Sequence, residues 1–274
     1  MKIYISCDME GVAGIVHRDQ TFYGCDGYDK GKELLTAEVS AAVRGAQQGG
    51  ATEIVVNDSH HSMRNLIIDR LDPSVKVILG DPKTYSMMEG LDSTFDAALF
   101  VGYHAKVGTE GAVIDHSYYS SGIVQNVRIN GEAVGETFIN GALAGCFNVP
   151  IVFVSGDDKV AREARETIPN VVTVEVKKGI GRFAAMTLTP SRACELIEAG
   201  AKKAVRSLAN IKPVAVEQPV NLQVDFSYTT MADVAACVPE VRRLSGRTVE
   251  FVSNDYLEVF KAFHTIYRVV ETVK

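Results

Sequence analysis

From the first residues to about residue 180, short runs of β-branched and apolar residues alternate with longer stretches patterned at helical spacing. That alternation restricts the fold severely, because each strand must be covered by the helix that follows it, and the economical solution is a mostly parallel sheet flanked by helices. The expected strands are residues 2–7, 53–57, 75–79, 97–103, 151–155 and 171–176. Between the first two, residues 30–48 carry Leu34, Leu35, Val39, Ala42, Val43 and Ala46 at helical spacing and end at Gly49-Gly50, a helix stop. Residues 136–146 and 158–167 are expected helices as well. After residue 180 the texture changes. A helix opens at Thr189-Pro190-Ser191 and runs to about 208, an alternating segment covers 214–226, and a short helix at 232–238, a strand at 248–252 and a final helix from 254 follow. The expected organisation is an α/β domain over residues 1–186 and a smaller C-terminal α+β domain or lobe over 187–274.

Composition narrows the function. The 274 residues are 46% hydrophobic and 23% charged, enough for one large core or two modest ones. A formal charge of −6 argues against nucleic acid or an anionic membrane as partner, since both call for a basic surface. A small molecule or peptide fits better. The N-terminus enters MKIYISCDMEG directly, with no leader-like apolar stretch, and the sequence has no run of 18 apolar residues, so a cytoplasmic protein is expected. The five cysteines are scattered and form no CxxC pair, which points to reduced thiols and away from sulfur-ligated zinc.

In open α/β sheets ligands bind beyond the carboxyl ends of the strands. Asp8 and Glu10 follow the first strand, Asn57-Asp58-Ser59-His60-His61 the second, and His104 the strand at 97–103. Asp8 and Glu10 are two apart, so in an extended segment both carboxylates leave one face, about 6.5–7 Å apart at the backbone. Imidazole with carboxylate and no thiolate suits catalytic zinc, and a hydrolytic dinuclear site is the sharper expectation. Each residue also has a plainer use: Asp8 as a turn or cap residue, Glu10 as a solvated acid, His104 as a buried core histidine. CDMEGV at 7–12 also resembles the start of the haloacid-dehalogenase-like phosphatases, and GDD at 156–158 their later Mg²⁺-binding acids, a resemblance that would make Asp8 the nucleophile and Glu10 the general acid. It leaves the histidines idle. No GxxxxGK[ST], GxSxG or HExxH is present.

A longer set of landmarks runs in order: DMEG at 8–11, VNDSH at 56–60, SMMEGLD at 86–92, GYHA at 102–105, DHS at 115–117, VGE at 134–136 and SGDD at 155–158. Together they resemble the zinc-dependent D-aminopeptidases of the bacterial dipeptide-utilisation type. The resemblance implies two zinc ions (Zn²⁺) per chain held by Asp8, Glu10, His60, His104 and Glu136, with Asp8 bridging, and a catalytic His116 that does not bind metal. Without it Glu136 reads as an acid in the first turn of a helix, favourable to the helix dipole. His60 rather than His61 completes the motif, and Asp58 is either an acceptor fixing the ligating imidazole or an Asx turn. Also implied are metal-assisted hydrolysis of short peptides with a free N-terminus, D-alanine first preferred, and a ring-like homo-oligomer, a decamer being one such form. His116 would be proton donor, oxyanion partner or nucleophile. An L-selective aminopeptidase or amidase, and a non-catalytic metal-stabilised peptide-binding protein, are the other readings of the same scaffold.

Overall fold

The structure, a computed structural model, describes residues 1–120 and 122–273. Lys274, the last residue of the expected C-terminal lobe, lies outside them. In chain order the strands are β1 (Lys2–Cys7), β2 (Glu53–Asp58), β3 (Lys76–Ile78), β4 (Ala97–Tyr103), β5 (Val124–Ile129), β6 (Glu132–Ala133), β7 (Ile151–Asp157), β8 (Val172–Gly181), β9 (Ala184–Thr187), β10 (Val220–Phe226), β11 (Arg242–Arg243) and β12 (Thr248–Ser253). The α-helices are α1 (Tyr28–Gly49), α2 (Glu136–Cys146), α3 (Asp158–Thr167), α4 (Pro190–Arg206), α5 (Thr229–Ala235) and α6 (Tyr256–Val270).

The main sheet has the order β3-β2-β1-β4-β7-β8-β9. All its pairs are parallel except β8 with β9, a hairpin at the edge. The continuous apolar run of β4, AALFVGY, is buried at every position, as a central strand covered on both faces requires. Edge strand β3 is short and half-exposed. Helix α1 ends at Gly50, whose φ of +112° lets its N–H reach the carbonyls of Ala46 and Gln47. Helix α3 starts where the Asp157 carboxylate accepts from the N–H groups of Lys159 and Val160.

A second, antiparallel sheet has the order β11-β12-β10-β5-β6. Its central strand β10 alternates buried and half-buried residues, the period-two signature of a sheet with one covered face. Val259, Phe260 and Phe263 of α6 pack over Val127, Ile129 and Leu222 of that sheet. The apolar side chains of both sheets belong to one continuous core. Two of the five strands, β5 and β6, come from residues 124–133, while α4 lies against α1 of the main sheet. Sheet membership therefore crosses the position near residue 186 where the sequence changes texture. Among the described residues no helix is long and apolar enough to cross a membrane.

Candidate metal centre

Strand order in the main sheet reverses between β1 and β4, and the crevice beyond their carboxyl ends is where a parallel sheet binds ligands. Asp8 and Glu10 leave β1 into that crevice, His104 follows β4, and His60 comes two residues after β2. Main chain touches main chain between the first two: a Cβ at Gly11 would stand 1.9 Å from the carbonyl oxygen of Tyr103, and one at Gly102 would stand 2.2 Å from that of Asp8. Gly102 also has φ +72°, open to glycine at little cost. From the other side α2 begins at Glu136, so the first helical residue delivers its carboxylate to the same point, and the N–H of Tyr118 donates to its Oε1 at 2.7 Å.

All six expected residues meet there. His60 Nδ1 lies 3.0 Å from Asp8 Oδ1 and 3.1 Å from Glu10 Oε2. His104 Nε2 lies 3.3 Å from both Asp8 Oδ2 and Glu136 Oε2. His116 Nε2 is 3.7 Å from Glu136 Oε1, and its ring stacks on that of His104 at 3.9 Å. Asp8 thus presents one carboxylate oxygen to each half of the site. Two potential metal-holding groups result, Asp8-Glu10-His104 and His104-His116-Glu136, sharing one imidazole. His116, expected to act without binding metal, stands at ligand distance in the second group.

The other nitrogen of each ring fixes its tautomer, because a backbone carbonyl can only accept. His60 Nε2–H donates to Thr21 O at 2.8 Å, His104 Nδ1–H to Ala105 O at 3.0 Å, and His116 Nδ1–H to Ile114 O at 2.8 Å. The remaining nitrogens then aim lone pairs at carboxylate oxygens, which is repulsive unless a proton or a metal cation stands between. Glu10 Oε2 and His104 Nε2 are accordingly buried without a hydrogen bond. Burial alone would raise the Asp8 carboxyl, but His104 and His60 hold it well below the usual carboxylate range. Burial would likewise lower the two imidazoles, yet the charge of Glu10 beside His60 and of Glu136 beside His104 pushes both well above their ordinary value. Such a donor set, nitrogen and carboxylate oxygen with orphaned atoms facing one another, fits two zinc ions.

Supporting groups surround it. The Lys177 ammonium, 3% exposed, donates to the carbonyls of Glu10 at 2.5 Å, Val12 at 2.9 Å and Ile15 at 2.6 Å, tying down the loop that carries Glu10. Asp58 does not touch the His60 ring. It accepts from the backbone N–H groups of Asn65 and Leu66 and from Asn65 Nδ2, which also donates to His60 O, so it shapes the loop. Asp157 caps α3 and accepts from Val113 N–H, while Asp158 binds Lys159 and Gly179 N–H. Both acids are spent on structure, and a phosphatase centre has no use for three converging imidazoles.

The centre opens into a cleft of about 640 Å³, a volume suited to a short peptide. Its rim includes Met63, Ile114, Tyr119 and Arg182, and Tyr267 with Arg268 from α6. Several rim residues, among them His61, Met63, Ile114 and Tyr118, hold φ between +47° and +64° although none is glycine. Pattern reading alone does not select Glu136, Lys177 or Arg182; only the VGE landmark marks the first, and the other two carry no signal of their own.

Fold and site define a dinuclear-metal hydrolase acting on peptides. The D-aminopeptidase family model, peptidase family M55, matches residues 1–265. A D-aminopeptidase of Bacillus subtilis (strain 168) is 39% identical over 265 residues, covering 96% of this chain and 95% of that protein. A solved structure described as the Zn-dependent D-aminopeptidase DppA from Bacillus subtilis, a self-compartmentalizing protease, superposes with a TM-score of 0.96 at 36% identity, covering 100% of this chain and 99% of its own. The chain belongs to the D-aminopeptidase family of zinc-dependent metallopeptidases.

Proposed function

We propose that this chain removes D-residues, D-alanine foremost, from the free N-terminus of short peptides. In this reading Asp8, Glu10, His60, His104 and Glu136 hold two zinc ions, and His116 acts on the reacting peptide bond. The observation that carries it is the convergence of three carboxylates and three imidazoles on one small cleft. Zinc bound there would supply Lewis acidity toward the peptide carbonyl and a water acidic enough to react near neutral pH.

The chain's own groups do the rest. Asp8, with one oxygen toward His60 and the other toward His104, is placed to serve both metal positions at once. Glu10, low in pKa because the His60 charge outweighs burial and the nearby Asp8 charge, offers negative charge to a substrate ammonium. Because the Nδ1 proton of His116 is committed to Ile114 O, Nε2 is the atom that faces Glu136 and the cleft. A proton held at Nε2 would go to the leaving amine, or would hydrogen-bond the oxyanion. We further propose a closed ring of copies, a decamer being one such form, residing in the cytoplasm, with residues 187–274 as a smaller C-terminal lobe that shares a sheet and a core with residues 1–186.

The test is hydrolysis of D-Ala-D-Ala, its L-L isomer and the N-acetylated D-D peptide, with metal content measured on protein purified without added metal. Two zinc ions per chain and turnover of the free D-D peptide alone are expected. Equal turnover of acetylated peptide would refute an aminopeptidase, and preference for the L-L isomer would remove the D assignment.

A further inference from the structure

His116 sits on a loop, residues 105–119, with no regular secondary structure to hold it. A histidine in such a place needs outside support to keep its Nε2 aligned. Part of that support comes from the β8–β9 hairpin. Asp115, the neighbour of His116, is bound by the Arg182 guanidinium through its Oδ1 and accepts from Gly108 N–H at 2.7 Å through its Oδ2. The backbone carbonyl of Arg182 accepts from Ile114 N–H at 2.9 Å. Arg182 thus grips both residues that precede His116, one through its side chain and one through its main chain. Ile114 is the residue whose carbonyl fixes the His116 tautomer, and it holds φ +48°, a strained value for a β-branched side chain.

Arg182 is itself held. It occupies the turn between β8 and β9, and that hairpin is pressed onto the loop: a Cβ at Gly179 would stand 2.0 Å from Gly111 O. The Asp115 side chain is 9% exposed and that of Arg182 34%, so the ion pair lies at the edge of the cleft, half shielded from water.

We infer that Arg182 is a positioning residue for His116, acting through Asp115 and Ile114 from the β8–β9 hairpin. The inference rests on the proposed role of His116. Because Arg182 also borders the cleft, the alternative duty for its guanidinium is to bind the free carboxylate of a short peptide. Positioning predicts a loss in turnover for every substrate, whereas carboxylate binding predicts a weaker KM only for substrates that have a carboxylate.

The experiment compares Arg182→Ala, Asp115→Asn, the double variant and His116→Ala in the full-length, zinc-loaded protein, on D-Ala-D-Ala and on its C-terminal amide. Arg182→Ala is expected to keep both zinc ions, lose on the order of 10–100-fold in kcat on both substrates, as a displaced reacting group does, and leave KM nearly unchanged. Asp115→Asn, which retains an acceptor for Gly108 N–H, should show a similar loss, and the double variant should be little worse than either single, since the two residues act as one unit. Added guanidinium ion should restore part of the Arg182→Ala turnover, which a purely structural defect would not allow. Unchanged kcat, strictly additive losses, or a KM increase confined to the free-carboxylate peptide would each overturn the inference. If His116→Ala itself turns over normally, the reading of His116 fails; if that variant is inactive while Arg182→Ala is normal, the positioning role alone fails.

Discussion

Glu38 allows a quantitative check on the packing behind the metal centre. It lies on α1, 2% exposed, with Oε1 accepting the Ala13 N–H at 2.8 Å and Oε2 without a hydrogen bond. Burial pushes its carboxyl from 4.5 up to about 7, against the pull of Ala13 N–H and of the Lys177 charge. A carboxyl whose pKa rises on folding favours its protonated form in the native state. Its contribution to stability is therefore present below the ordinary value and is lost as pH rises from 4.5 through about 7. At about 1.4 kcal/mol per tenfold change in proton affinity, the ionised side chain costs the fold about 3 kcal/mol near pH 8. Glu38→Gln keeps the acceptor for Ala13 and removes the charge, while its amide leaves an N–H in apolar surroundings at about 1 kcal/mol. The variant should gain about 2 kcal/mol over the wild type near pH 8 and close to nothing near pH 5. Urea unfolding at both pH values, at one protein and one zinc concentration, measures the gap. The chain has no tryptophan, so far-ultraviolet circular dichroism is the signal. A difference between the two proteins that is the same at both pH values would refute the argument, because only a titrating Glu38 makes it depend on pH.

Asp8→Ala should lose metal along with activity, since its two oxygens face both halves of the site; normal zinc content by elemental analysis would contradict that. His116→Ala, in contrast, should retain metal and lose on the order of 10²–10⁴ in turnover, the range for a general acid–base group, and a variant that sheds zinc would make this residue a ligand. Stripping zinc with a chelator should lower the melting temperature by roughly 10 °C, the effect of losing a ligand held at high saturation in a chain of this size; an unmoved transition would disconnect metal from folding. Gly102→Ala should prevent assembly of the centre, because the added methyl meets the Asp8 carbonyl oxygen, and a variant with normal zinc content would show that the two strand ends can separate.

Much of the main sheet is legible from residue pattern because its strands are buried on both faces and read as unbroken apolar runs, 97–103 most clearly. The same pattern puts Asp8, Glu10, His60 and His104 at strand ends, and the topology brings those ends together. Strand β8 runs five residues beyond its expected end at 176, because its later part, Lys177-Lys178-Gly179-Ile180-Gly181, breaks the apolar pattern with two lysines and two glycines where the partner is an edge strand. Lys177 and Arg182 fall in or just past that extension, so a reading that stops at Val176 cannot see the two cations that support the site. Strands β5 and β6 also go unrecognised, though Asn130-Gly131 between them is a strong hairpin signal and both residues adopt positive φ. The other partner of β5, strand β10, lies some ninety residues downstream, and no local pattern announces so distant a pairing. The acceptor for His60 Nε2 escapes prediction for a different reason: it is a backbone carbonyl, that of Thr21, and backbone groups carry no sequence signature.

At Gly11 and Gly102 the separation between the ends of β1 and β4 is set by backbone resting on backbone, with no side chain to act as a spacer. The contact that joins the ends of β1 and β4 is therefore independent of the side chains at the cleft rim. Met63, Tyr119 and Tyr267 at the rim can be exchanged without moving the atoms that hold Asp8 against His104, since nothing in that contact passes through them. For directed evolution this makes Met63, Tyr119 and Tyr267 natural library positions, because the cleft wall can be varied while the ends of β1 and β4 stay in register. The two glycines are the positions such a library should leave alone.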